Sequence, residues 1–388
     1  MKYFSFTLSF FLLLVCISHC KHTPILTPKQ KEISIRLRWI SAYPNEKEED
    51  VLTGFAWGMS LLGAEMPTGC MKKAFISQGN KQYEVNISAL GFSETAQKAL
   101  YKLINHLKKS EEYTQKGSID LGRFLVLTLH SSWNYYAITN MPKTYAQFTN
   151  LYAFDKNKLF PVTNSGVAAG NRLIYFPSDS NAAKTAFIAA EGKGELGNGT
   201  FQVAEFEVFD VMKNGQLRFG IYNNKTGDLE AASPITLGSA GKPGKCMWCH
   251  ESSLQTLHDT TSDLLGANYM SVADFKAKIA KMQGNLTQFQ SRFSTDINWK
   301  DNGAHTKQEW LYIGFMEPNL ARIAEEWGMS EAETLKKIAF LPTHKHAEFA
   351  FLGDCYDRAE IDSLAPYKAI SVPTSVREPS SYEPNLVL

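Results

Sequence analysis

Cys246-Met247-Trp248-Cys249-His250 is the stretch from which the rest of the chain is read. It has the form C-x-x-C-H, the covalent attachment signature of a haem. Two thiols separated by two residues lie on one short turn. From there they reach the two vinyl groups of a porphyrin and add to them as thioethers. The imidazole that follows falls beneath the ring and becomes the proximal ligand of the iron. The preceding run, Gly238-Ser239-Ala240-Gly241-Lys242-Pro243-Gly244, is rich in glycine, and a backbone short of side chains can lie close to a flat macrocycle. The expected cofactor is therefore one covalent haem c, held by Cys246 and Cys249 and ligated by His250.

Two other chemistries use the same residue types. Cys246, Cys249 and His258 would supply three ligands to a zinc ion, with a fourth from elsewhere. No second C-x-x-C or H-x-x-x-H pair accompanies them. A dithiol redox pair is the other alternative, and no βαβ pattern surrounds it.

Covalent haem attachment takes place outside the cytoplasmic membrane, so the motif requires export, and the N-terminus carries an export pattern. Lys2 is basic, and Phe4 to Val15 is an apolar run too short to span a bilayer comfortably. Ile17-Ser18-His19-Cys20 resembles a bacterial lipobox, which implies lipidation of Cys20; ordinary cleavage after Ser18 is the alternative. The expected location is the periplasm, or a membrane anchored through the N-terminal lipid, of a Gram-negative bacterium.

The chain has 388 residues, 44% hydrophobic and 12% aromatic, enough for a packed core. A net charge of +1 argues for no nucleic-acid partner. With the leader removed and three cysteines assigned, Cys70 and Cys355 remain. In an oxidising compartment they form either a disulfide or two buried thiols. There is no H-E-x-x-H, no Walker loop and no nucleotide-binding glycine fingerprint.

The expected organisation is a signal peptide (1–19), a tether (20–32), an α-rich N-terminal region (33–165), a β-rich segment (166–237), a haem region (238–371) and a flexible tail (372–388). The fold class is α+β: a mixed N-terminal region with a β-hairpin leads into a mainly helical haem-binding C-terminal region. Ile33, Ile35 and Leu37 alternate as in a strand, and Val51 to Leu62 reads as a helix. Gly79-Asn80 turns a small hairpin. Ser93 caps a helix bearing Leu100, Leu103, Ile104 and Leu107. Leu121 to Ile138 is apolar nearly all round and predicts one buried helix, with His130 a hydrogen-bonded core residue. Leu173 to Phe176 and Ala186 to Ala189 read as strands. Asn214-Gly215 joins Phe201–Met212 to Gln216–Tyr222 as a second hairpin. Its face of Leu217, Phe219 and Ile221 is either a wall of the haem pocket or simply a packed sheet. Helices follow the motif, with N-terminal caps at Ser271 and Ser330.

The opposite face of the iron decides its chemistry, since a methionine or histidine there closes the metal and an empty position leaves it open to ligands. Met316 is the first candidate, ahead of Met270 and Met282; His258 is also near, whereas His344 and His346 read as solvated.

The residues Cys246 to His250 resemble those of the c-type cytochromes. The resemblance implies an exported monohaem carrier that passes electrons between redox partners in the cell envelope, rather than a turnover enzyme. The distance from His250 to Met316 is similar to that of the methionine ligand in class I members, which implies Met316 as distal ligand. A second, fainter likeness is to cytochrome P460 and β-type cytochrome c′. Those are β-rich, with the motif after a sheet, as Gly199-Thr200-Phe201 through Tyr222 precede it here. That likeness implies an open iron, and with it a haem enzyme or gas sensor. A zinc-stapled binding lipoprotein is the third reading.

Overall fold

Ile35 and Leu37 point to one side of strand β1 (Ser34–Arg38), and both are fully buried. That alternation fixes the register of a small sheet, because a one-residue slip would expose both side chains. The computed structural model describes residues 32–163, 171–179, 181–232, 242–254, 263, 264, 266, 268–374 and 383–387. The signal peptide, Cys20, Gly238 to Gly241, His258, much of the tail and the boundaries expected at 165 and 237 lie outside the described residues.

Helix α1 (Glu48–Leu61) and the short α2 (Cys70–Ala74) lead into hairpin β2 (Phe75–Gly79) and β3 (Gln82–Asn86). Helices α3 (Glu94–Lys108) and α4 (Glu111–Lys116) follow, then β4 (Ile119–Asp120). The sheet order is β2-β3-β1-β4, with β4 parallel to β1. Ser93 caps α3 as its sequence requires, Oγ accepting from the Ala96 N–H at 3.2 Å.

The expected single helix from Leu121 to Ile138 is two, α5 (Leu121–Leu129) and α6 (Ser132–Thr139), both buried. Side chains cause the break. Ser131 Oγ donates to the Val126 carbonyl at 3.0 Å, and Asn134 Nδ2 to the Leu127 carbonyl at 2.8 Å. The Leu127 carbonyl is one that a continuous helix would have bonded through the Ser131 N–H, whereas the Val126 carbonyl also keeps the His130 N–H at 3.2 Å. His130 sits at the break, 1% exposed, with Nε2 3.0 Å from Gln308 Nε2.

After α7 (Tyr145–Thr149) the chain forms an antiparallel meander, β5 (Phe154–Val162), β6 (Asn171–Pro177), β7 (Ala186–Lys193), β8 (Gln202–Val211) and β9 (Leu217–Asn223), adjacent in chain order. The expected hairpin is its last pair. Gly215 adopts φ +88° in the turn, and the Met212 N–H donates to the Gln216 carbonyl at 2.8 Å.

The motif lies on α8 (Pro243–His250). Then come α9 (Val272–Gln290), α10 (Gly303–Met316), α11 (Leu320–Trp327) and α12 (Glu331–Ile338). The short pair β10 (His344–Lys345) and β11 (Asp354–Cys355) and helix α13 (Arg358–Leu364) complete the fold. The α+β class holds. Ile33–Leu388 forms one compact unit; its larger apolar core takes residues from β1, α5, β9, α8 and α10, and a smaller one gathers Ile323, Trp327, Ile338, Tyr356 and Ile361. Among the described residues no helix is long and apolar enough to cross a membrane.

Cys70 and Cys355 are both buried and free here, the second of the two expected arrangements. Cys70 lies against the Asp296 carboxylate, and burial with that charge pushes its thiol up to about 12. Cys355 Sγ is 3.6 Å from the Gly353 carbonyl. His346 is buried rather than solvated. It stacks on Phe349 at 4.8 Å, and its Nδ1 accepts the N–H groups of Glu348 and Phe349.

Candidate functional site

Pro243 occupies the first turn of α8, where its missing N–H costs nothing. Lys242, just before it, is fully buried and ion-paired with Glu383 from the C-terminal segment. Met247 is fully buried and anchors the inner side of the helix. Glu251 closes the helix at φ +53°, its N–H donating to the Met247 carbonyl at 2.8 Å. Held at both ends, α8 turns Cys246, Cys249 and His250 toward one face of the five-stranded sheet. Trp248 faces away, toward α10.

Between that helix, the sheet and α9 lies a cavity of about 120 Å³. Cys246, Cys249 and His250 line it together. The opposing wall is apolar, with Phe187, Phe209 and Phe219 from the sheet and Phe275 from α9. Phe275 is fixed by stacking on Phe160 at 3.9 Å. The His250 ring lies 5.2 Å from that of Phe209 and 5.7 Å from that of Phe219. Of the hairpin's apolar face, Phe219 belongs to the pocket wall.

The cavity also has a polar end. Register places Arg172, Glu191 and Glu205 in a row across β6, β7 and β8, with Glu207 two residues along β8 on the same face. Arg172 pairs with Glu191 at 2.8 Å and with Glu207 at 2.9 Å. Arg172 and Glu207 line the cavity, and Glu191 stands behind them, 1% exposed. Burial pushes the Glu191 carboxyl up to about 7 against the pull of Arg172, and the Glu207 charge adds to the rise.

Burial also sets the state of the motif residues. It pushes the Cys246 thiol well above its usual range, with the Glu207 charge adding to the effect. It pushes His250 down to about 4, so the imidazole is neutral, as an iron ligand must be. His250 Nδ1 is buried with no hydrogen-bond partner. In donor chemistry the residues present therefore fit a haem: two thiols and an imidazole on one turn, beside a phenylalanine-walled space.

They fit zinc less well. Only Glu191, Glu205 and Glu207 among the described residues bring three donor atoms within 4.8 Å of one another; Cys246, Cys249 and His250 do not converge in that way. His258, the third ligand of the zinc reading, lies outside the described residues.

Met316 is not brought to the site. It ends α10, 9% exposed, and is absent from the cavity wall, as are Met270 and Met282. Its neighbour Phe315 explains the position: that ring lies under the Arg123, Arg322 and Arg358 guanidiniums, which draws the end of α10 into an ionic cluster away from the sheet. No second imidazole or thioether occurs among the described lining residues.

Phe219 is legible in the sequence as a wall candidate, whereas Arg172, Glu191, Glu207, Phe187, Phe209 and Phe275 are not. The available signal is Glu205 and Glu207 two apart among the apolar residues of one strand, which puts two carboxylates on one sheet face. Comparison of the chain with protein-family models, with curated proteins and with solved structures finds no match.

Proposed function

We propose that this chain is an exported haem c protein whose iron stays open on the side away from His250 and takes up a small ligand or substrate. The observation that carries the reading is the cavity: Cys246, Cys249 and His250 share it with phenylalanines and the Arg172–Glu207 pair, and its described wall offers no distal ligand. Haem would supply a redox-active iron there. The chain's own residues would do the rest. Cys246 and Cys249 would hold the ring, and His250 would ligate the metal. The aromatic wall would exclude water, and Arg172 and Glu207 would offer a donor and an acceptor to a polar ligand. A sheet preceding the motif also agrees with the likeness to cytochrome P460 and β-type cytochrome c′. Cys20 remains the proposed lipid anchor, and envelope redox proteins the proposed partners.

The carrier reading differs in needing a closed iron. The test is the absorption spectrum of the reduced protein, produced with the c-type maturation machinery, before and after carbon monoxide. A large shift is expected. A reduced spectrum that ignores carbon monoxide would replace this reading with the closed electron carrier. Mass spectrometry showing Cys246 and Cys249 as free thiols would remove haem from both.

A further inference from the structure

The motif helix has a second connection, on the side away from the cavity. Trp248, inside the C-x-x-C pair, meets the fully buried Tyr312 edge-on, with ring centroids 6.1 Å apart. Tyr312 Oη donates to Glu309 Oε2 at 2.6 Å. The other carboxylate oxygen of Glu309 lies 3.3 Å from His305 Nε2. Trp57 Nε1 donates to His305 Nδ1 at 3.2 Å, which leaves the ring proton on Nε2, close to Glu309 Oε1 but not hydrogen-bonded to it. The Trp57 ring meets Trp299 at 6.0 Å, and Trp57, His305 and Trp299 all line a surface groove.

Buried polar networks commonly only hold a core together. This one runs from the haem-attachment turn to solvent. Its rings are the oxidisable ones, tryptophan and tyrosine, and its phenol already shares its proton with a carboxylate. A buried tyrosine can give up an electron only if its proton has somewhere to go, since a phenol radical cation is strongly acidic and cannot be hydrated there. Glu309 supplies that place.

We infer that Trp248, Tyr312, Glu309, His305, Trp57 and Trp299 form a proton-coupled electron relay between the cavity and the groove; the inference rests on the haem reading above. Hydrogen peroxide is the oxidant by class, taking up two electrons and two solvent protons and leaving as two waters. Each electron departs singly from Tyr312 by way of Trp248. The phenolic O–H bond breaks, the proton passes to Glu309 Oε2, and a neutral tyrosyl radical remains. A one-electron reductant in the groove then returns an electron through Trp299 and Trp57, and the proton goes back from Glu309 to the phenol oxygen.

The experiment is freeze-quench electron paramagnetic resonance of the full haem-bearing protein mixed with hydrogen peroxide. A tyrosyl signal is expected. It should vanish in Tyr312→Phe and weaken in Glu309→Gln, while both variants keep the haem spectrum of the parent. Trp248→Phe, which leaves the phenol in place, should slow formation of the signal. The same tyrosyl signal in Tyr312→Phe overturns the relay, as does an absent signal from the parent with its haem spectrum intact. A parent without a haem spectrum overturns the function proposed above and the relay with it. The first two results leave that function standing, so the two failures are distinguishable.

Discussion

At the scale of single residues, the polar end of the cavity is set by one arginine among carboxylates. Glu191 is held up to about 7 in the fold against an ordinary 4.5, by burial and by the Glu207 charge, with Arg172 opposing. A carboxyl raised by folding binds its proton more tightly in the native chain. Its contribution is therefore full below about pH 4.5 and is lost as pH climbs through 7. The expected outcome is a fall in urea-unfolding free energy across that window, and Glu191→Gln should flatten it. An unchanged slope in the variant would assign the pH dependence to other groups. Removing the counter-ion is harsher: Arg172→Met strands buried carboxylates, at a cost of about 3–5 kcal/mol at neutral pH. The motif itself was legible because its cysteines and histidine are close together in the sequence. Arg172 and Glu207 were not, because they meet only through strand register, and nothing local in Arg172 announces a partner on β8.

At the scale of elements, helices were legible where caps and periodicity agree. Ser330 shows this: its Oγ accepts from the Glu333 N–H while the Glu333 carboxylate accepts from the Ser330 N–H. Strand β5 was not legible. Asp155, Asn157 and Lys158 interrupt its alternation, and the ladder to β6 is irregular between Asp155 and Phe160. The break between α5 and α6 was hidden because apolar content continues across it, whereas hydrogen bonding decides it. How closely α1 and α10 pack was hidden as well. A Cβ on Gly54 would stand 2.7 Å from the Lys307 carbonyl carbon. Backbone cannot yield there as a flexible side chain would. Gly54→Ala should therefore destabilise the protein by about 1–3 kcal/mol despite its better helix propensity. Thermal unfolding reads this directly, and a raised midpoint would show that the helices can separate without cost.

At the scale of the whole molecule, two distant parts of the chain are fastened by buried charge. Arg358 pairs with Glu326 at 2.9 Å, and Arg123 pairs with Glu112 at 3.0 Å and with Asp362 at 2.8 Å, tying α11 and α13 to α4 and α5. Burial alone would raise Glu326, but Arg358, Arg123, Arg322 and Arg38 overcome it and hold the carboxyl down to about 2. A group lowered in this way stabilises the fold above about pH 4.5, and that stability is lost as pH falls toward 2. The second fastening bears on function. Glu383 pairs with buried Lys242, and its other oxygen accepts the Ser132 N–H at 2.9 Å, so one carboxylate near the C-terminus joins the start of the motif helix to the start of α6. The Leu386 N–H adds a bond to Asn134 Oδ1 at 2.9 Å. The sequence reads this tail as a wandering surface segment because prolines and serines dominate it, and one glutamate carries no signal of a buried lysine more than a hundred residues earlier. Glu383→Gln keeps the shape and removes the charge, leaving Lys242 buried without its counter-ion, which costs about 3–5 kcal/mol. The loss falls on the segment that presents Cys246 and Cys249. The variant should therefore unfold earlier on heating and yield a smaller haem-stained fraction on a denaturing gel. The surface pair Lys98–Glu94, 2.7 Å apart on α3, is the control: Glu94→Gln should leave both readings unchanged. Equal haem incorporation in Glu383→Gln and Glu94→Gln would mean that the tail fastens the core without serving the attachment turn.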